Sequence, residues 1–474
     1  MKRYTHLIHG RTFIIVMFFT FLLAYVMIRA YTLSFTHDES LSFTILEGND
    51  ILINTANNHI LNTTLMAKSN TLFGNTEFSL RLPNVLAFVL YLIGCFYLIR
   101  TSKSNWLFFF GFTIILLNPF MIEFFSLARG YGLSLAFMLI SIFFMIRNGN
   151  HYLTSSPFIK DFIFASLFAS LALYAILAMI NFYISILIIF IFKYIYFRRT
   201  HPKDSNFNSQ FYSVLFVSLI PLFLGIQRLL KLKEANQLYF GVNTFMEGIN
   251  SLVGSSIYFT GYGSWLVTTI KIIVFLFLIV GILSIILKKK YDGPLFIIIQ
   301  LIAFLSIGLF LEHLLFSAAY PAERTALFFI PIISLFIYHL FLHLKTEHNL
   351  KKQYYIPVII CLMISLGANF IVSLNSTYTK TWRYDAHTKD AMKIVRDITQ
   401  DINYKTTISN PWLLEPAINH YIGIWRLNVA YSDRNGIDLN SDFIYRREDN
   451  DPLDNYKELC SYEDIQSSLL MKIE

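Results

Sequence analysis

The stretch TFIIVMFFTFLLAYVMIRAYTLSF, residues 12–35, decides the class of fold, and THDESLSF, residues 36–43, follows it directly. About 20 apolar residues are enough for an α-helix to cross the hydrocarbon core of a bilayer, so the first stretch predicts a membrane span. It is longer than the apolar part of a signal peptide and lacks a small-residue cleavage site. We therefore expect a retained first helix, preceded by Lys2, Arg3 and Arg11.

Further long apolar runs follow along most of the chain. Of its 474 residues, 55% are hydrophobic and only 14% are charged, whereas soluble domains carry roughly 25% charged residues. We expect spans near residues 13–35, 84–100, 105–122, 130–147, 159–179, 181–197, 211–228, 265–287, 294–312, 325–344 and 354–374. The sequence thus predicts an all-α polytopic membrane protein with about eleven transmembrane helices.

Lysine and arginine concentrate in alternate loops, which predicts the orientation of the chain. With a cytoplasmic N-terminus, the inner loops contain most of the basic residues, as the positive-inside rule requires. An odd number of spans then places the C-terminus outside. Residues 376–474 differ from residues 1–375 because apolar runs shorten and acidic residues outnumber basic ones. We expect a transmembrane domain over 1–375 and a small extracytoplasmic α/β domain over 376–474, with short strands at 406–409 and 426–430.

Two outer loops are long, at residues 36–83 and 229–264, and long loops in a compact protein concentrate function. The first begins with His37, Asp38 and Glu39 at the end of the first span. By themselves, adjacent carboxylates there are also compatible with a solvated helix terminus. The same loop continues with NNHILNTTLM at 57–66 and LFGNTEFSLRLPN at 72–84.

The ordered set Asp38-Glu39, Asn57-Asn58-His59, Glu77 and Arg81-Leu82-Pro83 resembles the first loop of the protein O-mannosyltransferase and aminoarabinose-transferase group, the family 39-like glycosyltransferases. The resemblance is best over residues 36–140 and implies a GT-C fold. It also implies an inverting transfer of a sugar from a polyprenyl phosphate to an acceptor hydroxyl. Because a phosphodiester leaves without a proton, one carboxylate base suffices. We expect Asp38 to be that base and Glu39 to orient it or to bind a substrate hydroxyl.

The departing lipid phosphate needs fixed cations beside it. The candidates for binding the donor phosphate are His59, Arg81, Arg129 and Arg324. In the family the position of His59 usually precedes Pro-Pro, whereas Ile60-Leu61 follows it here. Each arginine also has an ordinary interpretation: Arg129 and Arg324 as side chains that extend to lipid headgroups, and Arg81 as an anchor or a partner of Glu77. Arg29 and Lys271, near span ends, are interpreted as headgroup-directed residues.

We expect no cofactor. Asp38, Glu39 and His59 offer oxygen and nitrogen ligands for a divalent metal, but no second carboxylate cluster lies in the outer loops, so no metal site is predicted. The predicted partners are a polyprenyl-phosphate-sugar donor, membrane lipid, and a glycan, lipid or protein acceptor. Nucleic acid is not expected, because the basic residues lie in short clusters between apolar runs.

The sequence therefore predicts a mannosyltransferase-like enzyme, a hexosyl- or pentosyltransferase of the cell envelope, in a bacterial-type inner membrane. Two alternatives stay open. An O-antigen polymerase or ligase also has many spans, but its large loop usually lies late in the chain. A lipid or polysaccharide transporter predicts midplane charges and internal repeats, and neither is evident in the sequence.

Overall fold

The structure is a computed structural model that describes residues 2–149, 154–200, 205–238, 240–259, 261–448 and 453–473. Helices dominate it. The membrane-spanning part contains α1 (Lys2–Thr32), α5 (Glu77–Ile99), α6 (Asn105–Leu116), α7 (Pro119–Glu123), α8 (Gly130–Ile146), α9 (Ser155–Ala175), α10 (Ile180–Thr200), α11 (Ser205–Glu234), α13 (Ser264–Lys288), α14 (Pro294–Phe316), α15 (Phe329–Glu347) and α16 (Lys352–Val372).

Among the described residues, nine helices are long and apolar enough to cross a membrane, and the bent pair Asn105–Leu116 with Pro119–Ser126 brings the number up to ten. The apolar helix Gly130–Ile146 is shorter. These segments coincide with the predicted spans. The predicted fold class, an all-α polytopic membrane protein with a small α/β domain, is confirmed.

The third predicted span is bent by 58° between α6 and α7. The side chain of Asn118 accepts a hydrogen bond from the backbone N–H of Met121 at 2.9 Å, and Pro119 occupies the first turn. An asparagine N-cap followed by proline is a strong helix start, so a new helix begins where a continuous one was expected.

Both long loops contain helices. The first contains α2 (His37–Leu46), α3 (Asp50–Ile53) and α4 (Ile60–Phe73), and the second contains α12 (Phe245–Ile257). Three short 3₁₀ helices connect spans, at Phe124–Ser126, Leu177–Met179 and Glu323–Ala326.

After α16 the chain forms a 3₁₀ turn (Arg383–Asp385), α17 (Thr388–Thr399), β1 (Ile408–Ser409), α18 (Glu415–Ile424), β2 (Phe443–Arg447), β3 (Tyr456–Tyr462) and β4 (Ser467–Lys472). The sheet order is β1-β2-β4-β3, with β1 parallel to β2 and the other pairs antiparallel. The predicted strand segments meet as a parallel bridge between Thr406 and Val429. We keep residue 376 as the proposed start of this domain.

The C-terminal domain does not have a core of its own. Phe35, Phe43, Met66, Leu80 and Ala128, from the membrane part and its first loop, belong to the same buried cluster as the apolar residues of α17, α18 and the sheet. The first loop and the C-terminal domain therefore pack as one unit on one end of the helix bundle.

Arg29 corrects the sequence interpretation. It is only 1% exposed and donates hydrogen bonds to the backbone oxygens of Asn375 and Tyr378, at 2.6 and 3.0 Å, and lies 3.6 Å from Glu123. The Arg29 side chain does not extend to lipid headgroups. It connects α1 to the start of the C-terminal domain by hydrogen bonds.

Candidate active site

A cavity of about 660 Å³ lies where the first loop, the helix bundle and the C-terminal domain meet. Asp38 lines it, and so do the four arginines Arg129, Arg228, Arg324 and Arg434. These arginines come from four separate parts of the chain, so the fold, and not any local motif, creates the cationic site.

Asp38 lies in the first turn of α2 and is 9% exposed. Its Oδ2 atom is 3.6 Å from Nη2 of Arg129 and 3.7 Å from Nη2 of Arg324. Both distances exceed those of direct hydrogen bonds, so the two guanidinium groups act on the carboxylate mainly through charge. The carboxylate keeps room on the cavity side for a hydroxyl proton.

Arg129 holds the first loop in place. Its Nη1 donates to the backbone oxygen of Asp38 at 3.0 Å and to Oγ of Ser42 at 2.6 Å, and its Nη2 donates to Oδ1 of Asn57 at 2.6 Å. It is 1% exposed. Because most of its N–H groups already have acceptors, Arg129 positions α2 and contributes positive charge to the cavity more than free hydrogen-bond donors.

His59 is neutral in this arrangement. Its Nδ1 accepts a hydrogen bond from the backbone N–H of Gly130 at 3.0 Å, and its Nε2 lies 3.3 Å from Nη2 of Arg129, so both ring nitrogens face donors. Burial lowers the pKa of His59 well below its ordinary value, and the positive charges of Arg129, Arg228 and Arg324 lower it further. The expectation that His59 supplies positive charge does not fit this geometry, because Arg129 and Gly130 direct N–H groups at its ring.

Gly130 makes the contact with His59 possible. A Cβ atom at this position would overlap the backbone oxygen of Ala175, so a side chain is excluded. The first glycine of the GYG stretch at 130–132 therefore serves close packing of α8 against α9 and the approach of the His59 ring.

Arg324 and Arg228 have more freedom than Arg129. The Arg324 guanidinium packs over the rings of Phe240 and Trp382, with its carbon 4.2 and 5.1 Å from the ring centroids. Arg228 is half-buried and donates to the backbone oxygen of Asn58 at 2.6 Å. Sequence reasoning missed Arg228 as a site residue because it ends a predicted span, where a headgroup-directed side chain is the common case.

Glu39 and Arg81 do not line the cavity. Both are completely buried and form a two-fold ion pair, with Nε to Oε1 and Nη2 to Oε2 both at 2.8 Å. The other Arg81 donors reach the backbone oxygens of Ala30, Leu33 and Ser34 at 2.8–3.1 Å. All five guanidinium N–H groups are thus used, and the position of Arg81 does not fit donor-phosphate binding.

The orientation of Glu39 follows from a capping box that is readable in the sequence. Oγ1 of Thr36 accepts from the backbone N–H of Glu39, and Oε2 of Glu39 accepts from the backbone N–H of Thr36 at 3.0 Å. The pattern Thr-x-x-Glu at a helix start turns the glutamate back towards the N-cap. Glu39 also accepts from the backbone N–H of Ala128 at 2.6 Å, so it has no vacant position for a substrate hydroxyl.

The C-terminal domain completes the site and fixes α2. Oδ2 of Asp385 accepts from the backbone N–H of His37 at 2.7 Å, and burial raises the pKa of Asp385 well above its ordinary value. The His37 ring contacts the backbone oxygen of Leu413 at 2.7 Å. Trp412 and Arg434 of this domain line the cavity. Sequence reasoning missed both, because only the fold brings them to the first loop.

The remaining wall of the cavity is mostly apolar, with Tyr174 of α9 and Glu312 of α14 as its polar members. It consists of side chains from α9, the following 3₁₀ helix, α11 and α14, including Leu173, Ile176, Leu177, Leu224, Leu229 and Leu309. Only 11% of the apolar stretch of α11 is buried inside the protein, so this helix, and with it this wall, borders the outside of the bundle. The cavity thus combines a cationic end with an apolar end that opens towards lipid.

No group of three or more histidine, cysteine, aspartate or glutamate side chains is arranged to hold a metal ion in the part of the chain that the structure describes. Glu39 pairs with Arg81, and His59 directs Nδ1 to a backbone N–H, so neither is disposed as a ligand beside Asp38.

These features define a polytopic membrane protein with a GT-C-like fold and a charged cavity under its C-terminal domain. Among solved structures, the chain is similar to ArnT from Cupriavidus metallidurans in the apo state, with a TM-score of 0.52, 10% identity, and coverage of 96% of this chain and 97% of ArnT. It also aligns with ArnT from Cupriavidus metallidurans bound to undecaprenyl phosphate, with a TM-score of 0.48, 11% identity and the same coverage.

The likeness to apo ArnT extends over nearly the whole of both chains, so the predicted resemblance to the aminoarabinose-transferase group is confirmed as a common fold. The sequence matches no protein-family model and no curated protein.

Proposed function

We propose that this protein is an inverting glycosyltransferase that moves a sugar from a polyprenyl-phosphate donor to an acceptor hydroxyl. The observation that carries the proposal is the position of Asp38: its carboxylate faces a cavity whose other charged groups are mainly arginines and whose far wall is mostly apolar. An amphipathic substrate with an anionic head and a long hydrocarbon chain matches such a cavity.

The transfer is a single displacement. The acceptor oxygen forms a bond to the anomeric carbon while the bond from that carbon to the phosphate oxygen breaks. The hydroxyl proton passes to Asp38, and the electron pair of the broken bond leaves with the phosphate. Charge on the leaving phosphate therefore grows in the transition state, where fixed cations are worth several kcal/mol in a preorganised site.

We assign the phosphate to Arg324 and Arg228, because both line the cavity and keep donors that the protein does not use fully. Arg129 positions Asp38 through its backbone oxygen. Glu39 and Arg81 form a buried ion pair that fixes the start of α2 and so positions Asp38. These roles differ from those predicted for the two residues from sequence.

The acceptor enters on the side of the C-terminal domain. His37, Trp412 and Arg434 line that side, and the Trp412 side chain is 56% exposed, which suits stacking against a sugar ring. The polar acceptor and the lipid donor then approach Asp38 from opposite ends of one cavity.

A transfer assay tests the proposal. Purified protein in lipid is given a panel of radiolabelled polyprenyl-phosphate sugars and candidate glycan, lipid and protein acceptors, and wild type is compared with Asp38→Asn. Asp397→Asn, an exposed aspartate on α17, is the matched control. Sugar transfer by wild type and the control but not by Asp38→Asn supports the proposal, whereas no transfer from any polyprenyl-phosphate donor contradicts it.

We further propose an inner-membrane location with a cytoplasmic N-terminus and an extracytoplasmic C-terminal domain. Cys460 on β3 is partly exposed and reports on the orientation. In a Cys361→Ser background, which removes the exposed cysteine of α16, a membrane-impermeant maleimide should label Cys460 in intact spheroplasts. Labelling only after lysis would place the domain in the cytoplasm and contradict the assignment.

A further inference from the structure

A second pocket, of about 650 Å³, lies between the end of α12 and the start of α13, and it shares no lining residue with the catalytic cavity in the described part of the chain. Its polar lining includes Asn250, Tyr262, Ser264, Thr268, Lys271 and Lys380. The pocket is open, and the proposed transfer reaction does not use it.

Two lysines from distant parts of the chain converge on this pocket. Nζ of Lys271 donates to Oδ1 of Asn250 at 2.5 Å, and Nζ of Lys380 donates to the backbone oxygen of Gly254 at 2.9 Å. These acceptors are four residues apart on α12, a rise of about 6 Å along the helix, so the two ammonium groups are anchored one turn apart.

Both ammonium groups keep donors for a ligand. An ammonium has three N–H groups, and one hydrogen bond from each lysine to protein leaves others directed away from α12. Among the described residues, neither lysine has a carboxylate within the 4.0 Å of an ion pair. The pocket therefore carries two ammonium groups without a direct ion pair; Nζ of Lys380 also lies over the rings of Tyr258 and Tyr262 and in the field of Glu123 and Glu323.

The N-terminus of α13 adds to the positive potential. Its N-cap, Gly263, provides no side-chain hydrogen bond to the first turn, and Ser264, Val267 and Thr268 of that turn and the next line the pocket. The backbone N–H of Leu266 is already bonded to the oxygen of Gly263, so it is mainly the helix dipole that favours an anion at this position.

The depth of the pocket matches the headgroup region of a bilayer. From Ile272 to Leu287, α13 is continuously apolar or small, and this segment rises about 24 Å, close to the thickness of a hydrocarbon core. Trp265, 68% exposed, lies above it, as interface aromatics do. Only 17% of the apolar stretch of α13 is buried inside the protein, so most of this helix faces lipid.

We propose that Lys271 and Lys380, with the N-terminus of α13, bind the phosphate of an anionic membrane lipid at a site separate from the catalytic cavity. The ligand class follows from two unpaired ammonium groups and a helix N-terminus at headgroup level, on a helix whose apolar surface accepts acyl chains. The proposal does not depend on the proposed transfer reaction.

The test is a lipid-binding measurement on the full-length protein in detergent. Binding of short-chain phosphatidylglycerol is compared with phosphatidylcholine of the same chain length, for wild type and for Lys271→Gln/Lys380→Gln. Lys68→Gln, an exposed lysine in the first loop, is the matched control. The single variant Lys271→Gln is included because the Lys271 side chain is partly exposed, so its replacement should leave folding intact. A melting curve without lipid ligand checks this.

We expect the double variant to lose at least about tenfold in affinity for phosphatidylglycerol, because charge-assisted hydrogen bonds from both lysines to the phosphate are lost. Lys271→Gln should show part of this loss, and Lys68→Gln should bind as wild type does. Equal binding by wild type and the double variant, or an equal loss in Lys68→Gln, overturns the proposal. If inorganic phosphate displaces phosphatidylglycerol completely and binds with the same affinity, the assignment of the site to a lipid is overturned.

Discussion

Asp38 and Glu39 are adjacent carboxylates at the same helix start, yet they lie in opposite environments. Asp38 faces a cavity and has two guanidinium groups beyond hydrogen-bond distance. Glu39 is completely buried, and its two oxygens receive hydrogen bonds from Arg81, Thr36 and Ala128. Glu39, whose oxygens all have hydrogen-bond donors, stabilises the fold. The Asp38 carboxylate, which has arginines nearby but no direct hydrogen bond to them, can accept a proton from a substrate.

The difference arises from helix geometry. Successive residues of an α-helix point about 100° apart, so Glu39 points to a different side of α2 from Asp38. The capping box between Thr36 and Glu39 selects which carboxylate turns inwards. Mutations that separate effects on stability from effects on turnover will therefore distinguish the Glu39–Arg81 pair from the Asp38 site.

The largest expected effect on stability is at Arg81. Arg81→Ala leaves Glu39 charged and buried without its partner, which should cost about 3–5 kcal/mol of folding stability. Thermal unfolding in detergent measures this loss. Arg396→Ala, which removes an exposed pair with Asp397, is the control and should unfold as wild type does. If Arg81→Ala folds normally but binds donor poorly, Arg81 belongs to the substrate site after all.

A smaller effect is expected for Arg324→Ala, because we assign this arginine to the donor phosphate and its protein contacts are mainly the rings of Phe240 and Trp382. Losing a charge-assisted contact of about 1.5–3 kcal/mol should raise the KM for donor roughly ten- to hundredfold. The melting curve should change little. Steady-state kinetics with varied donor concentration provide the measurement, and an unchanged KM would return Arg324 to a headgroup-directed role.

The smallest effect concerns His59. Its lowered pKa keeps it neutral in the folded protein, whereas in the unfolded chain it binds a proton below about pH 6.5. Folding stability therefore decreases as the pH falls below that value. His59→Gln removes this contribution, so its acid dependence should be shallower than that of wild type by at most about 1.4 kcal/mol per pH unit.

Melting curves at pH 7.5, 6 and 5 provide the comparison for His59→Gln. The two proteins should differ in slope only on the acid side. Identical acid dependence in both would mean that His59 is protonated in the folded state, contrary to the hydrogen bond that it accepts from Gly130.

The spans could be predicted from sequence because long apolar runs can satisfy their backbone groups in lipid only as helices. The α/β tail was predicted in part. Its segments 406–409 and 426–430 do meet, but β2, β3 and β4 were not expected, because residues such as Arg446, Arg447 and Glu458 interrupt the apolar alternation that indicates a strand.

The site was less predictable, because its geometry depends on contacts between distant parts of the chain. The sequence indicated Asp38, Arg129 and Arg324, and the structure brings these three together. It did not indicate Arg434 or the burial of Arg29. Each depends on acceptors or cavity walls hundreds of residues away, which local patterns do not contain. The Thr-x-x-Glu signal at Thr36 was present and would have identified Glu39 as a capping residue.

The most direct test of Asp38 separates donor binding from chemistry. Wild type and Asp38→Asn are loaded with radiolabelled donor, the affinity is measured, and acceptor is then added in a single-turnover experiment. We expect Asp38→Asn to bind donor with near-normal affinity and to transfer sugar at least about a hundredfold more slowly, because its proton acceptor is lost. Transfer by Asp38→Asn at the wild-type rate would contradict the central claim that this carboxylate accepts the proton.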